Sequence, residues 1–248
     1  MRRKARIHAA HTHSLCIFNH CTLGGPFSPL AANIYLNEAD WAFDAIRRKT
    51  AEKGYEAVNY HRFADDIVIT VSGHNSKRGW AERALQRLKE QLKPLGVELN
   101  PEKTRMVNVL KGESFAFLGF DLRRVQNRNR TGYFILMTPR KKARTAVKTR
   151  IREIIQNGGA KPAENLIKQV NAVLVGWVNY FRVGNSSRAF SEVRDYTEMK
   201  IRTLLTRRKR RKKRSIGWRR WSNEYLYDVL GLYWDWIVQP LKSAEGYR

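Results

Sequence analysis

Acidic residues, cysteines and long apolar runs are all scarce in this sequence. Its 248 residues contain 22 Asp and Glu against 48 Lys and Arg, a formal net charge of +26. Two cysteines cannot build a disulfide framework in a chain of this size, which favours a reducing compartment. No apolar run approaches the roughly 20 residues that span a bilayer, and no secretory signal follows the basic N-terminus. We therefore expect a cytoplasmic protein without a membrane span.

The residues that are present point to a folded protein with a polyanionic partner. Because 42% of the residues are hydrophobic and 11% are aromatic, the chain can bury a core. The excess positive charge repels itself unless a polyanion neutralises it, and Lys and Arg release condensed counterions when they bind phosphates. Aromatic residues are interleaved with the cations, which suits base stacking. Nucleic acid is the expected partner, and a solubilising surface or an acidic membrane surface is the alternative.

Charge and pattern divide the chain near Pro139. Residues 1–139 contain 22 basic and 13 acidic residues, whereas residues 140–248 contain 26 and 9. Residues 1–20 have no acidic residue and no clear period, which predicts an irregular lead-in. Residues 21–139 mix helical and strand patterns, and residues 140–248 are helical, so the predicted fold class is α+β.

Local patterns predict the individual elements. Ser28-Pro29 begins a helix that ends at Gly54. Its predicted inward face consists of Leu30, Ile34, Trp41 and Ala45. A hairpin over residues 57–63 and 67–72 is followed by a helix with Trp80, Ala84, Leu88 and Leu92 on one face. Strands are expected at 104–110, 115–123 and 132–138, and helices at about 140–156, 163–183 and 187–213, with a further helix or two between 222 and 238.

Two adjacent carboxylates, Asp65 and Asp66, form the predicted tip of the hairpin. A tight turn can bring such a pair onto one cation, and oxygen ligands on a short turn suit Mg²⁺, which also binds substrate phosphates. Nucleotidyl transfer uses metal ions held in this way. Ordinary turn chemistry is the alternative, because Asp favours turns.

A run of eight cations occupies residues 207–214. On a helix, such a run places charge on every face, so it must contact solvent or phosphate. RNA contact is the prediction, and a nuclear-localisation patch or a solvated tail is the alternative. The basic residues predicted to contact RNA here are Arg207, Arg208, Lys209, Arg210, Arg211, Lys212, Lys213, Arg214, Arg219 and Arg220.

Four segments in sequence order resemble the palm motifs of reverse transcriptases encoded by group II introns. They are residues 24–36, 63–66, 99–104 and 117–120. Residues 176–182 and the helices after them resemble the maturase (X) domain of that family, which binds intron RNA. The resemblance implies a partial reverse-transcriptase palm over residues 21–139 and a helical thumb and maturase domain over residues 140–248.

The resemblance also implies roles for single residues. Asp65 and Asp66 match the metal-binding pair of the family's Tyr-Ala-Asp-Asp motif, with Phe63 in place of the tyrosine. Lys103 matches a lysine near the leaving phosphate. Arg182 lies in the maturase match as a further RNA contact.

A second set of implied features concerns the ligands. Gly24, Gly25 and Pro26 match a turn that approaches the nucleotide and the template, where a missing Cβ permits close approach. Residues 117–120 are similar to the primer-grip region. The implied cofactor is Mg²⁺, and the implied partners are group II intron RNA, a DNA primer or target, and deoxynucleoside triphosphates. The implied location is the cytoplasm of a bacterial-type host, and the oligomeric state is left open.

The chain departs from the family pattern upstream of these motifs. The family has a third metal-binding carboxylate before the glycine-proline turn, yet no Asp or Glu occurs before Glu38. The fingers segment is also unmatched. We therefore expect a truncated reverse transcriptase and maturase with half a metal site and weak or no polymerase activity. The alternatives are a non-catalytic splicing factor that binds intron RNA and a decayed mobile-element fragment.

The N-terminal region is dense in possible metal ligands, which are His8, His11, His13, Cys16, His20 and Cys21. Their spacing fits no standard structural zinc site, so zinc is the lesser alternative. We expect instead that this segment is unrelated to the reverse transcriptases.

Overall fold

A computed structural model describes residues 5–11, 28–52, 58–72, 79–158, 161–208 and 220–239. The chain divides into two compact units, Met1–Ile135 and Leu136–Arg248. The boundary between the units lies between Ile135 and Leu136. The fold class is α+β, as expected, since the first unit mixes strands and helices and the second is mostly helical.

The first unit is built on a four-stranded antiparallel sheet. In chain order its elements are β1 (Ala5–His11), α1 (Ser28–Tyr35), α2 (Asn37–Glu52), β2 (Val58–Phe63), β3 (Asp66–Ser72), α3 (Trp80–Leu92), β4 (Arg105–Val107), β5 (Ser114–Phe117) and β6 (Phe120–Gln126), and the next strand, β7 (Tyr133–Pro139), spans the boundary between the units. The sheet order is β2-β3-β1-β4, and β5, β6 and β7 form a second sheet.

The strongest apolar run in the first unit forms β3, one of the two inner strands of the sheet. Ile67, Ile69 and Val71 are buried in a core with α2 and α3, whereas Val68 is buried in a second core with Val107. Because β3 is covered on both faces, its residues are continuously apolar rather than alternating. The predicted hairpin is confirmed, and β3 becomes the rigid base of the turn that follows β2.

The helix predicted from Ser28 to Gly54 is two helices with a break at Leu36. The predicted inward face is wrong, because Leu30, Ile34 and Trp41 are more than half exposed. Leu36, Ala39 and Phe43 are buried instead. Counted as one helical repeat, the predicted and the buried residues lie on opposite faces, and the buried face is the one that packs on the core of β2, β3 and α3. Ala45 is likewise exposed.

Two further secondary-structure predictions for the first unit are wrong. Residues 5–11, expected to be irregular, form β1, which pairs along its whole length with β3. The strand predicted at 115–123 is a hairpin, because Leu118 and Gly119 both have positive φ (46° and 75°) and make a two-residue turn. Strand pairing is a long-range interaction, and the local pattern of residues 1–20 did not indicate it.

The second unit contains α4 (Lys141–Asn157), α5 (Ala163–Phe181) and α6 (Ser187–Arg208). α4 packs against both α5 and α6, around a core that includes Ile151, Val170 and Leu174. Of residues 222–238, where the sequence predicts a helix or two, only 223–229 are helical, and Tyr225–Val229 form a short π-helix. Gly231 has φ of 67°, and the Asn171 side chain bonds the backbone of Gly231 and Tyr233, which holds this segment extended.

Candidate functional site

The acidic turn, defined as Ala64, Asp65 and Asp66, joins β2 to β3. Phe63 pairs with Asp66 at the end of the ladder, so the tip is Ala64-Asp65 and Asp66 is the first residue of β3. Ala64 has φ of 53°, a left-handed value that a non-glycine residue keeps only when its surroundings hold it. Both aspartates are partly exposed. The turn therefore presents its carboxylates from a constrained backbone.

Arg62 supplies the constraint. Its guanidinium donates to both carboxylate oxygens of Asp40 on α2, at 2.8 and 2.5 Å. The remaining nitrogen, Nη1, donates to the Ala64 carbonyl oxygen at 2.9 Å and to Asn33 Oδ1 at 2.8 Å. A bidentate pair of this kind is strong and directional. One arginine thus ties α1, α2 and the acidic turn together.

Arg62 is largely shielded from solvent, and its hydrogen bond to Asp40 favours the charged guanidinium. The Arg62 side chain is 10% exposed, and its hydrogen bond to Asp40 raises the pKa of Arg62. Tyr60, on the same strand, stacks on Phe43 with 4.7 Å between ring centroids. Burial raises the pKa of Tyr60, and the charge of Asp40 adds to this effect. This side of the hairpin therefore contains the bidentate Arg62–Asp40 pair and a phenol whose pKa is raised.

The sheet brings further residues to the edge that carries the acidic turn. β1 is antiparallel to both β3 and β4, so β3 and β4 begin at the same edge. His11, at the end of β1, pairs with Asp66. Lys103 precedes the start of β4 by two residues and is exposed in a turn in which Asn100 accepts its backbone N–H. The topology thus places the Lys103 backbone near the edge where β3 begins.

In the second unit, Arg182 is engaged within the protein. Its Nη2 donates to Asp235 at 2.7 Å and to the Tyr233 hydroxyl at 3.0 Å. The hydrogen bond to Asp235 raises the pKa of Arg182. Arg208 also has internal partners, since its Nη2 donates to the carbonyl oxygens of Gly158 and Lys161. Both arginines, predicted to contact RNA, make hydrogen bonds that join segments of the second unit.

A buried polar network links α6 to the segment after residue 219. Arg202 is 3% exposed and donates to Glu198 at 2.9 Å, to the Trp221 carbonyl oxygen at 2.8 Å and to Asn223. The Tyr227 hydroxyl donates to the other carboxylate oxygen of Glu198 at 2.6 Å. Burial, and then Glu198, raise the pKa of Tyr227. The residues on both sides of the basic segment 209–219 are therefore fixed to the same helix.

Of the predicted RNA contacts, Arg207 and Arg220 are exposed. Arg220 lies 5.4 Å from the ring centroid of Trp221, a cation–π contact. Lys209, Arg210, Arg211, Lys212, Lys213, Arg214 and Arg219 lie outside the described residues.

Two family models match the chain. A model described as reverse transcriptase (RNA-dependent DNA polymerase) matches residues 4–122. A model described as group II intron, maturase-specific domain matches residues 144–231. The chain belongs to the group II intron reverse transcriptase and maturase family. A search of curated proteins found no match.

The reverse-transcriptase match corrects the interpretation of the N-terminal segment. It begins at residue 4, so it includes β1, which the sequence analysis took to be unrelated to the family. Of the possible metal ligands there, His8 and His11 lie on β1. His13, Cys16, His20 and Cys21 lie outside the described residues, as do Gly24, Gly25 and Pro26 of the proposed nucleotide-binding turn.

Reverse transcriptases generally use Mg²⁺, and the acidic turn fits this ion in the chemistry of its ligands. Asp65 and Asp66 supply carboxylate oxygens on adjacent residues. Within the described residues, no group of three or more His, Cys, Asp or Glu side chains could hold a metal ion. The turn therefore offers part of a ligand set. Among the described helices, none is long and apolar enough to cross a membrane.

Two sets of side-chain contacts, those of Arg62 and those of Arg202, were not predicted from the sequence. Asp40 and Asn33 were not singled out, because their contacts with Arg62 join residues that are 22 and 29 positions apart. The available signal was weak: Asp40 follows Glu38 closely on a helix, and acidic residues are scarce in this chain. The Arg202 network was also not predicted, because no local sequence pattern distinguishes a buried arginine from the exposed arginines of a basic helix.

Proposed function

We propose that this reverse transcriptase and maturase copies RNA into DNA at the acidic turn and binds group II intron RNA through its second unit. The observation that carries the proposal is the Arg62 clamp, which we define as the four hydrogen bonds from Arg62 to Asp40, Asn33 and Ala64. The clamp holds a strained turn whose side chains are the carboxylates that the family reaction requires. A left-handed residue that its surroundings hold in place is frequent at functional sites, which supports a chemical role for this turn.

Asp65 and Asp66 would hold Mg²⁺ at this turn. When bound, Mg²⁺ supplies charge neutralisation for the attacking hydroxyl and the phosphates of the incoming deoxynucleotide. Lys103 would neutralise the leaving phosphate from the same edge of the sheet. Phe63 is 63% exposed beside the turn, and its ring offers an apolar face to a nucleotide. An RNA template and a DNA primer would complete the substrate.

We further propose that this chain alone has weak or no polymerase activity. β1 is the strand beside β3 on the side away from β2, and its residues 5–11 contain no Asp or Glu. The same observation favours a second candidate function, a non-catalytic splicing factor that binds intron RNA. In that case the first unit supports the second, whose half of the chain has 26 basic against 9 acidic residues over 140–248.

Mn²⁺ binding measured by electron paramagnetic resonance tests the acidic turn without relying on turnover. The unaltered chain should bind Mn²⁺, and Asp65→Asn and Asp66→Asn should each weaken binding by about tenfold or more, since each removes a charged ligand. The matched control is Asp44→Asn, which removes a carboxylate from the surface of α2. Binding that survives both substitutions would contradict the metal assignment.

Primer extension on an RNA template distinguishes the two candidate functions. Incorporation that is lost in Asp65→Asn and retained in Asp44→Asn supports the polymerase. Binding of intron RNA without incorporation, and without any effect of Asp65→Asn, supports the splicing factor.

A further inference from the structure

A groove of about 650 Å³ lies between the C-terminal halves of α4 and α6. Arg152 of α4 and Lys200 and Arg207 of α6 line it as cations, and Ile155 and Leu204 are among its apolar residues. We call this the distal groove. All these residues lie in the second unit, so the groove is formed by one compact body.

The N-terminal halves of the same two helices show a different charge arrangement. There Glu192 of α6 accepts hydrogen bonds from Arg144 and Lys148 of α4, the latter at 2.5 Å. These two cations are therefore compensated by a carboxylate across the helix pair. Glu192 and Lys200 are eight residues apart on α6. About two helical turns after Glu192, α6 therefore has a cation, Lys200, in the groove that it forms with α4.

The distal groove has no such compensation. No acidic residue is among the described residues that line it. Arg208 also lines the groove, but its guanidinium donates to the carbonyl oxygens of Gly158 and Lys161 beyond the end of α4. Arg152, Lys200 and Arg207 remain as three like charges around one concave surface. Like charges gathered in this way repel each other unless an anion joins them.

The shape and chemistry of the groove fit a chain of phosphates. Cations on two facing helices can contact successive phosphates of one strand, while the aliphatic side chains of Ile155 and Leu204 can contact sugars or bases between them. The groove also borders the residues that lead into the basic run at 207–214. A strand that binds in the groove can therefore continue towards further cations in the sequence.

We propose that the distal groove binds the phosphodiester backbone of intron RNA through Arg152, Lys200 and Arg207. This inference rests on the proposed RNA binding by the second unit and assigns it to a specific surface. Arg152 and Lys200 are new to the set of RNA contacts. Arg182 and Arg208, which the sequence suggested, are placed outside that set because they bond within the protein.

The salt dependence of RNA binding tests the assignment. Each phosphate contact on a single strand contributes about 0.7 to the slope of log affinity against log salt, so the triple variant Arg152→Gln, Lys200→Gln, Arg207→Gln should lower the slope by about two. The charge-matched control is Lys141→Gln, Lys142→Gln, Lys168→Gln, which neutralises exposed cations elsewhere in the unit. The control should lower the slope by less than one.

Three outcomes would count against the proposal in different ways. Binding by the unaltered chain with equal slopes for both triple variants would overturn the groove and leave the proposed RNA binding intact. No RNA binding by the unaltered chain would overturn both. A loss of slope on duplex DNA, with none on RNA, would assign the groove to DNA and overturn the RNA assignment.

Cross-linking gives a readout that does not depend on charge. A photoreactive p-benzoylphenylalanine in place of Gln156, which lines the groove, should cross-link to bound RNA several-fold more than the same residue in place of exposed Ala172 on α5. Equal cross-linking at both positions would overturn the assignment even if the triple variant had bound RNA weakly.

Discussion

The two units use buried arginines in the same manner but for different segments. In the first unit, Arg62 binds Asp40 and then reaches the Ala64 carbonyl oxygen inside the acidic turn. In the second unit, Arg202 binds Glu198 and then reaches the Trp221 carbonyl oxygen beyond the basic segment. Each arginine pairs with a carboxylate and uses its remaining donors on backbone. The first holds a turn that carries two carboxylates, and the second holds the residues that follow the basic segment in the sequence.

From this comparison we infer that some cations of this very basic chain stabilise the fold, whereas others are available to bind RNA. Arg62, Arg182, Arg202 and Arg208 each donate to carboxylate or carbonyl oxygens of the protein. Arg152, Lys200 and Arg207 line a groove whose described lining residues include no Asp or Glu. Substitution of supporting arginines should therefore change stability, whereas substitution of binding cations should change the salt dependence of RNA affinity.

The largest expected effect is a loss of stability when Arg202, the supporting arginine of the second unit, is replaced. Arg202→Met removes the close ion pair of the buried Glu198 carboxylate and leaves only Arg194 at 3.9 Å, which should cost about 3–5 kcal/mol in free energy of unfolding. Urea unfolding followed by tryptophan fluorescence measures it, since five of the seven tryptophans lie after residue 139.

The matched control for this change is Arg188→Met, at an exposed position of the same helix, which should cost less than about 0.5 kcal/mol. Glu198→Gln is a milder second variant that should cost about 2 kcal/mol. Losses below about 1 kcal/mol in both Arg202→Met and Glu198→Gln would show that the network does not support the unit.

A smaller effect is expected for the Arg62 clamp. Arg62→Lys keeps the charge but cannot make the bidentate pair and the bond to Ala64 together, so it should cost about 2 kcal/mol. Hydrogen exchange of the peptide that covers β2, the acidic turn and β3 measures the loss where it occurs. Mn²⁺ affinity should fall in parallel, because the turn is no longer held.

Asp40→Asn should reproduce both changes, whereas Asp44→Asn should produce neither, since Asp44 pairs with arginines on the surface of α2. Unchanged exchange in the acidic turn of Arg62→Lys would show that the clamp is not what holds the turn.

The smallest effect concerns Glu192 and pH. Hydrogen bonds from Lys148 and Arg144 lower the pKa of Glu192 below its ordinary value of 4.5. A lowered pKa in the folded state stabilises the protein at neutral pH, and this contribution disappears as the pH falls through 4.5 and then through the lower folded value. The difference in urea midpoint between the unaltered chain and Glu192→Gln should therefore shrink from pH 7 towards pH 3.

Asp228→Asn, at an exposed position of the second unit, serves as the control for a lost carboxylate. A difference between the unaltered chain and Glu192→Gln that stays constant over this pH range would contradict the assigned direction of the shift.

The sequence predicted the features that depend on neighbouring residues. The run Ile67–Val71 identified β3, and the apolar spacing of Ala84, Leu88 and Leu92 identified the buried face of α3. The motif series around Asp65-Asp66 identified the family. Prediction was less successful where distant residues decide: β1 needed β3 as its partner, and the inward face of α2 is the one that packs on β2, β3 and α3.

By itself, the sequence determined that the chain is a strongly basic α+β protein with an acidic hairpin turn and reverse-transcriptase and maturase motifs, because composition, local period and motif order are properties of the chain. Only the tertiary structure decided which arginines are supports and which are available to a ligand. Lys and Arg carry the same charge in every sequence position, and their roles separate only when folding places a carboxylate, a carbonyl oxygen or an open groove beside them.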